Sequence, residues 1–468
     1  MVMQLEHPSV EQRAAEGKAA RTAVPREALG EWDPSRRIER PVNLLLEQAA
    51  TRVPELVPIR HGRMAASPFA YYRGAALPMA ADLALGPRSG LTVQLCGDAH
   101  LSNFGGFASP ERTMVFDIND FDETLPGPFE WDLKRLAASV EVVARSRGFD
   151  EALTRRIVVG GIDHYRQAIR TFARMPHLEV WYSRLDVPTL MQRWGGQVKK
   201  KNVRQVEINI ARATRRDQIR ARSKLTRMVD GELRFVSDPP LLVPVSELLD
   251  ESNAELLRET IHDAIRGYRR TLAGDRRRLL ENYRFVDLAR KVVGVGSVGT
   301  RAWVALFVGR DQADTLILQV KEAEPSVLER YLPRSPFEQH GQRVVEGQRL
   351  MQASSDIFLG WQRSSHGADG RSHDYYLRQL WDWKLSADID TMPPDVLAAY
   401  TQMCSWTLAR AHARSGDAVA IGSYLGGSDT FARAVAGFAA AYAQQNEADH
   451  REMLAAIAGG VLAAATDV

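Results

Sequence analysis

The chain has 468 residues, of which 25% are charged, and a formal net charge of +3. That length exceeds one ordinary hydrophobic core and implies two or three packed units. The near-neutral balance excludes a polycation, and with only Cys96 and Cys404 a disulfide framework is excluded and a reducing cytoplasm is the expected compartment.

Residues 1–40 are rich in Ala, Arg and Glu and read as a mobile or wrapping arm, with no apolar core of signal-peptide length. A helix is predicted at Val42–Thr51. Ser67 is an N-cap for a second, with Pro68 at its first position, running to about Leu85. Leu91–Leu95 and Met114–Ile118 are short strands. Residues 131–146 and 151–173 carry helical periodicity.

Residues 199–227 hold eleven Lys or Arg against Glu207 and Asp217. They include no aromatic residue for base stacking, so a solvated helix face is expected rather than a nucleic-acid surface. A helix is predicted at Asn253–Gly274. From Arg290 the pattern becomes that of a β-meander, with strands at Val292–Val298, Arg301–Val308 and Thr315–Val320. A helix over Pro336–Gln352 precedes strands at Ile357–Gln362 and Asp374–Leu380. Beyond Pro393-Pro394 the chain reads helical, broken near Gly416–Ser428. No run of about 18 apolar residues occurs, so no transmembrane helix is expected. These elements suggest an N-terminal arm (1–60), a helical lobe (61–289), a small β-rich lobe (290–385) and C-terminal helices packed on the helical lobe (386–468).

Two motifs carry the chemistry. The first runs from Cys96 to Asp132 and places Asp98, His100, Asn103, Asp117, Asp120, Asp122 and Glu123 close together. So many acids repel one another unless a positive charge sits between them. A hard cation such as Mg²⁺, held by oxygen ligands, would supply it. The second is Gly294-Val-Gly296-Ser297-Val-Gly299, in which glycines let backbone N–H groups approach phosphates. A dinucleotide fold would continue as a helix. Here Trp303–Val308 favours a strand, the arrangement that folds over ATP phosphates in kinases. A following strand should then bring a lysine to the phosphates, and Lys321 is placed for it. Glu346, in the next helix, is the expected partner of that lysine, with Glu329 as competitor.

Together these residues resemble the kinase-like fold, and in particular its aminoglycoside and choline phosphotransferase branch. Gly97-Asp98-Ala99-His100-Leu-Ser-Asn103 matches the branch's HGDxHxxN after its first His, which is Cys96 here. The resemblance implies an α+β, two-lobed fold that binds ATP and Mg²⁺. It makes Asp98 the catalytic aspartate and Asn103 a metal ligand. Spacing from Asn103 favours Asp117 as the second ligand, whereas Trp131-Asp132-Leu133 as downstream anchor favours Asp120; Asp120 is preferred, with Asp117 or Asp122 as helper. His100 is read as bonded within the loop, beside a possible catalytic role, and Asp132 as a cap for nearby amides. In ordinary kinases the glycine loop precedes the catalytic loop. Here it follows, so a circularly permuted or rearranged fold is expected. Over nearly its whole length the chain also resembles an uncharacterised bacterial family, domain of unknown function 2252, through GRMAASPFAYYRGAA, CGDAHLSNFG, FDINDFDET, VGVGSVGTR and VVEGQRLMQ.

The function this implies is phosphoryl transfer from ATP to a small-molecule or protein hydroxyl. Transfer of AMP is a close alternative, and a non-catalytic nucleotide-binding module is another. A metallophosphoesterase is disfavoured, because no downstream Asn-His-Asp ligands occur. Arg60 and Arg73 are candidate anion-binding residues, against the commoner solvated arginine. His164, His177, His262, His412 and His450 lack metal-ligand spacing and read as structural.

Overall fold

The computed structural model describes residues 7–214, 218–248, 254–292, 294–364, 370–380 and 383–465. Arg215–Asp217 of the basic stretch and Val293 of the glycine loop lie outside them.

Fourteen strands occur among the described residues, in chain order β1 Thr92–Leu95, β2 Phe104–Ala108, β3 Met114–Ile118, β4 Leu125–Pro128, β5 Leu185–Asp186, β6 Thr226–Val229, β7 Glu232–Phe235, β8 Leu242–Pro244, β9 Arg284–Lys291, β10 Ala302–Val308, β11 Thr315–Glu322, β12 Gly360–Ser364, β13 His373–Gln379 and β14 Leu385–Ser386. The largest sheet has the order β12-β13-β11-β10-β9-β8, and its pairs are antiparallel. A smaller sheet has the order β14-β2-β3-β5, and β1 pairs with β4. The fold is thus α+β with antiparallel sheets.

The large sheet is buried on both faces because β10 and β11 are apolar at successive positions. Val304, Leu306, Val308 and Ile317 face one cluster, closed by Leu225, Leu233 and Phe235. Ala305, Phe307, Leu316 and Leu318 face another, closed by Tyr268, Leu272 and Leu280. Residues expected in the helical lobe therefore complete the core of the sheet, and the expected boundary at 289/290 falls inside β9. The described residues of the strand predicted at Val292–Val298 form no strand, and 294–298 are a turn. Gly294 adopts φ +68°, while Val292 and Val298 pack with Leu56 and Ile59. The strand lies one segment earlier, so the glycine loop joins β9 to β10, which pair directly.

The helical part is built from Phe129–Ser146, Glu151–Phe172, Pro394–Ser415 and Thr430–Ala458, packed against one another. Helix Phe129–Ser146 is buried on nearly every side, acids and bases included. Such a helix persists only if its polar groups find partners, and those partners organise the site. The predicted helix after Ser67 forms as two, Pro68–Gly74 and Ala76–Ala84, with the Ser67 side chain accepting from the Ala70 amide. The arm wraps: helix Val10–Ala23 lies on Ala418–Leu425, Arg13 pairs with Asp417 at 2.6 Å, and Arg37 bridges Asp82 and Asp449. Basic helix Lys200–Ala213 is largely solvent-exposed. No helix among the described residues is long and apolar enough to cross a membrane.

Candidate active site

β1 runs into Cys96 and Gly97, and the turn there admits only glycine. Gly97 has φ +85°, and a Cβ on it would lie 2.2 Å from the Glu123 carbonyl oxygen. Asp132, at the start of helix Phe129–Ser146, accepts hydrogen bonds from the Cys96 amide at 2.9 Å and the Gly97 amide at 3.0 Å. One turn later Arg135 donates through Nε to the Asp98 carboxylate at 2.7 Å. The i, i+3 spacing puts both residues on one helix face, so a single buried helix sets the loop's backbone and aims its aspartate. His412 reaches Asp132 at 3.3 Å, consistent with its structural reading.

His100 Nε2 lies 3.5 Å from Asp98. Burial lowers its pKa to about 3, against the pull of Asp98, so the ring is neutral at ordinary pH. Asn103 donates through Nδ2 to the Asp98 carbonyl at 2.8 Å. Both residues brace the loop.

The acids that follow part company. Asp117, on β3, turns into the helical core, where Arg410 donates to it at 2.6 Å and the Ala353 amide at 2.9 Å. It does not line the cleft, and its expected role as metal helper gives way to a buried ion pair. Beyond β3 the backbone reverses about Phe121, which is buried, and Asp120 and Asp122 face the glycine loop. β11 brings Lys321 to meet them. Its Nζ is 2.6 Å from Asp122 Oδ2 and 3.8 Å from Asp120 Oδ2. Asp122 also accepts from Tyr376 Oη at 2.7 Å and Ser297 Oγ at 3.2 Å.

The expected Glu346–Lys321 pair does not form. Glu346 is half-buried and pairs with Arg349 at 3.3 Å, because Asp122 already occupies the lysine. Glu329 lies 3.9 Å from Arg343 instead. Helix His340–Met351 contributes through Arg343, which donates to the carbonyls of Thr124, Asp122 and Glu324, each at 2.8 Å.

Two adjoining cavities, of about 290 and about 140 Å³, share Asp120, Gly294 and Ser297 as walls. The larger is also lined by Lys321, Gln319, Arg378, Ile357 and Leu380. The smaller takes in Asp98, His100, Asn103, Asp122, Arg60 and Arg73. Gly299, at φ +92°, closes the loop against Arg52. Arg63 donates to the Gly294 carbonyl at 2.7 Å. The backbone N–H groups of Gly296 and Ser297 make no hydrogen bond to another described residue.

Burial and the neighbouring Asp122 charge raise the pKa of Asp120. Burial would raise Asp122 too, but Lys321 and Tyr376 bring it down to about 2. Burial lifts Glu123 to about 7 against the pull of Arg343. Sequence reasoning had no signal for Arg135, Tyr376, Arg378 or Arg52 as site residues; only the tertiary fold brings them in. Among the described residues, no group of three or more His, Cys, Asp or Glu side chains is disposed to hold a metal. Asn103, Asp120 and Asp122 offer a smaller set of oxygen donors.

Replacing Asp122 by asparagine is expected to destabilise the fold by about 1.5–3 kcal/mol, since Lys321 loses its closest counterion. Because the Asp122 pKa is depressed to about 2, its contribution is present above the unfolded value near 4 and is lost as pH falls through about 2. Urea denaturation between pH 2 and 6 measures this. An unchanged wild-type-to-variant gap across that range would contradict the assignment.

From residue 52 to residue 456 the chain matches the model of a family described as an uncharacterized protein conserved in bacteria (DUF2252). Comparisons with curated proteins and with solved structures return no match. The match spans most of the sequence, and the chain belongs to the DUF2252 family.

Proposed function

We propose that this protein is an ATP- and Mg²⁺-dependent phosphotransferase of the kinase-like kind, acting on a hydroxyl group. One observation carries the reading: Lys321 and Asp122, 199 residues apart in sequence, meet at 2.6 Å beside the glycine loop. The motif order is reversed relative to ordinary kinases, yet the two motifs build one cleft. A glycine hairpin, a lysine on the next strand and a helix after it follow in the order the reading requires.

Phosphoryl transfer asks a protein mainly to position groups and neutralise charge. The free N–H groups of Gly296 and Ser297 cover the phosphates. Lys321 supplies positive charge, held by Asp122 rather than by Glu346. Asp98, fixed by Arg135, accepts the proton of the acceptor hydroxyl. Asn103 and Asp120 fit Mg²⁺ by their oxygen donors, and the raised Asp120 pKa marks an acid whose charge a cation would stabilise. When bound, that ion would neutralise phosphate charge.

Thermal unfolding with ATP tests the reading. At a hundredfold excess over Kd, Mg²⁺-ATP should stabilise the fold by about 2.7 kcal/mol, read as a raised Tm that weakens with EDTA. Transfer of label from γ- but not α-labelled ATP to an acceptor would follow. A Tm unmoved by ATP with Mg²⁺ would remove the proposal.

A further inference from the structure

The smaller cavity gathers three arginines that phosphoryl transfer does not use. Arg52, Arg60 and Arg73 all line it. None of the three forms an ion pair with any described residue. Arg60 is 1% exposed. Its Nη2 donates to the Gly74 carbonyl at 2.9 Å and to Gln48 at 3.2 Å, while its Nε and Nη1 are buried without a partner. The Nε atoms of Arg52 and Arg73 are likewise buried and unpartnered. The Arg73 side chain makes no hydrogen bond to any described residue.

Guanidinium groups are kept out of water at a heavy cost unless an anion meets them. Arg52 and Arg60 also repel each other, and burial with that repulsion lowers the Arg60 pKa. Of the acids lining the same cavity, Asp98 is engaged by Arg135, Asp120 and Asp122 by Lys321, Glu322 by Arg301 and Glu123 by the Val327 amide, while Glu324 forms no ion pair with any described residue and acts on Arg52 and Arg60 only through its field. Three arginines, each with a buried Nε that lacks a partner and none in an ion pair, leave donors open at one end of the cavity, and arginine's planar fork matches phosphate oxygens in geometry.

We propose that the Arg52–Arg60–Arg73 end of this cavity seats a phosphate group carried by the acceptor, so that the substrate is already a phosphate ester before its hydroxyl meets Asp98. This rests on the phosphotransferase reading for the word acceptor. The anion seat itself does not. The larger cavity is left for the rest of the nucleotide, whose phosphates would meet the glycine loop at Asp120 and Ser297, where the two cavities adjoin.

The test is calorimetric titration of inorganic phosphate into the full-length chain in a low-salt buffer. One phosphate should bind per chain, and Arg73→Gln should weaken it about tenfold or more. Because Arg73 has no partner to lose, R73Q should keep the wild-type Tm without phosphate, which a structural role would not allow. Phosphate should still bind when the cleft is saturated with Mg²⁺ and a non-hydrolysable ATP analogue. Displacement by that analogue would assign the arginines to the nucleotide's own phosphates and overturn the proposal. So would an absence of saturable phosphate binding, or equal affinity in R73Q. If phosphate binds and the analogue does not, the phosphotransferase reading and the acceptor assignment fall while the anion seat stands.

Discussion

Replacing Asp98 by asparagine is expected to lower turnover by about 10²–10⁴-fold, the usual contribution of a positioned general base, while ATP affinity stays unchanged. The asparagine side chain keeps an oxygen to accept from Arg135 Nε, which now reaches Asp98 at 2.7 Å, so the loop should hold its shape. What it loses is the ability to take a proton. The loop has independent anchors in the Asp132 bonds to the Cys96 and Gly97 amides. Initial rates with labelled ATP, beside ATP titration of the same preparation, separate chemistry from binding. Wild-type turnover in D98N would remove Asp98 from the reaction. Lost ATP binding together with lost rate would make it a structural residue.

Replacing Asp117 by alanine should act on stability instead. Asp117 and Arg410 are 2% and 1% exposed and stand 2.6 Å apart. Removing one partner of a buried pair leaves the other charged and uncompensated, a loss of about 3–5 kcal/mol. Arg410 has no spare partner to turn to, since its Nη1 is already unsatisfied. The Ala353 amide loses its acceptor as well. Urea unfolding measures the loss, and Mg²⁺-ATP affinity of the folded fraction should be retained. Unaltered stability with collapsed Mg²⁺-ATP affinity would return Asp117 to the metal site and displace Asp120.

The two acids show where sequence reading stops. Asp117 and Asp120 are three residues apart, both follow Asn103, and spacing arguments could favour either. Their directions are set by what surrounds them. Asp117 sits on β3 and faces helix Pro394–Ser415, nearly three hundred residues later in the chain, whereas Asp120 lies past the strand's end, where the backbone turns to the cleft. The lysine's partner shows the same limit. Glu346 is at a sensible sequence distance from Lys321, but the carboxylate that reaches it comes from the other motif. The strand predicted at Val292–Val298 failed because Val292 and Val298 satisfy a small apolar cluster as well as they would a sheet.

By itself the sequence determined what depends on neighbours along the chain. Ser67 caps its helix, Met114–Ile118 is a strand with the expected bounds, and the glycine loop joins two paired strands. Hydrogen bonds to nearby amides, the two-residue alternation of strands and the conformational freedom of glycine are local properties, so local pattern reveals them. Only the tertiary structure decided which charges meet. Asp122 with Lys321, Asp98 with Arg135, Asp117 with Arg410 and the unpaired arginines beside Asp98 all depend on elements brought together by burial of their apolar faces. Burial is not specific about partners in sequence, but it makes every enclosed charge find one or stand open for a ligand.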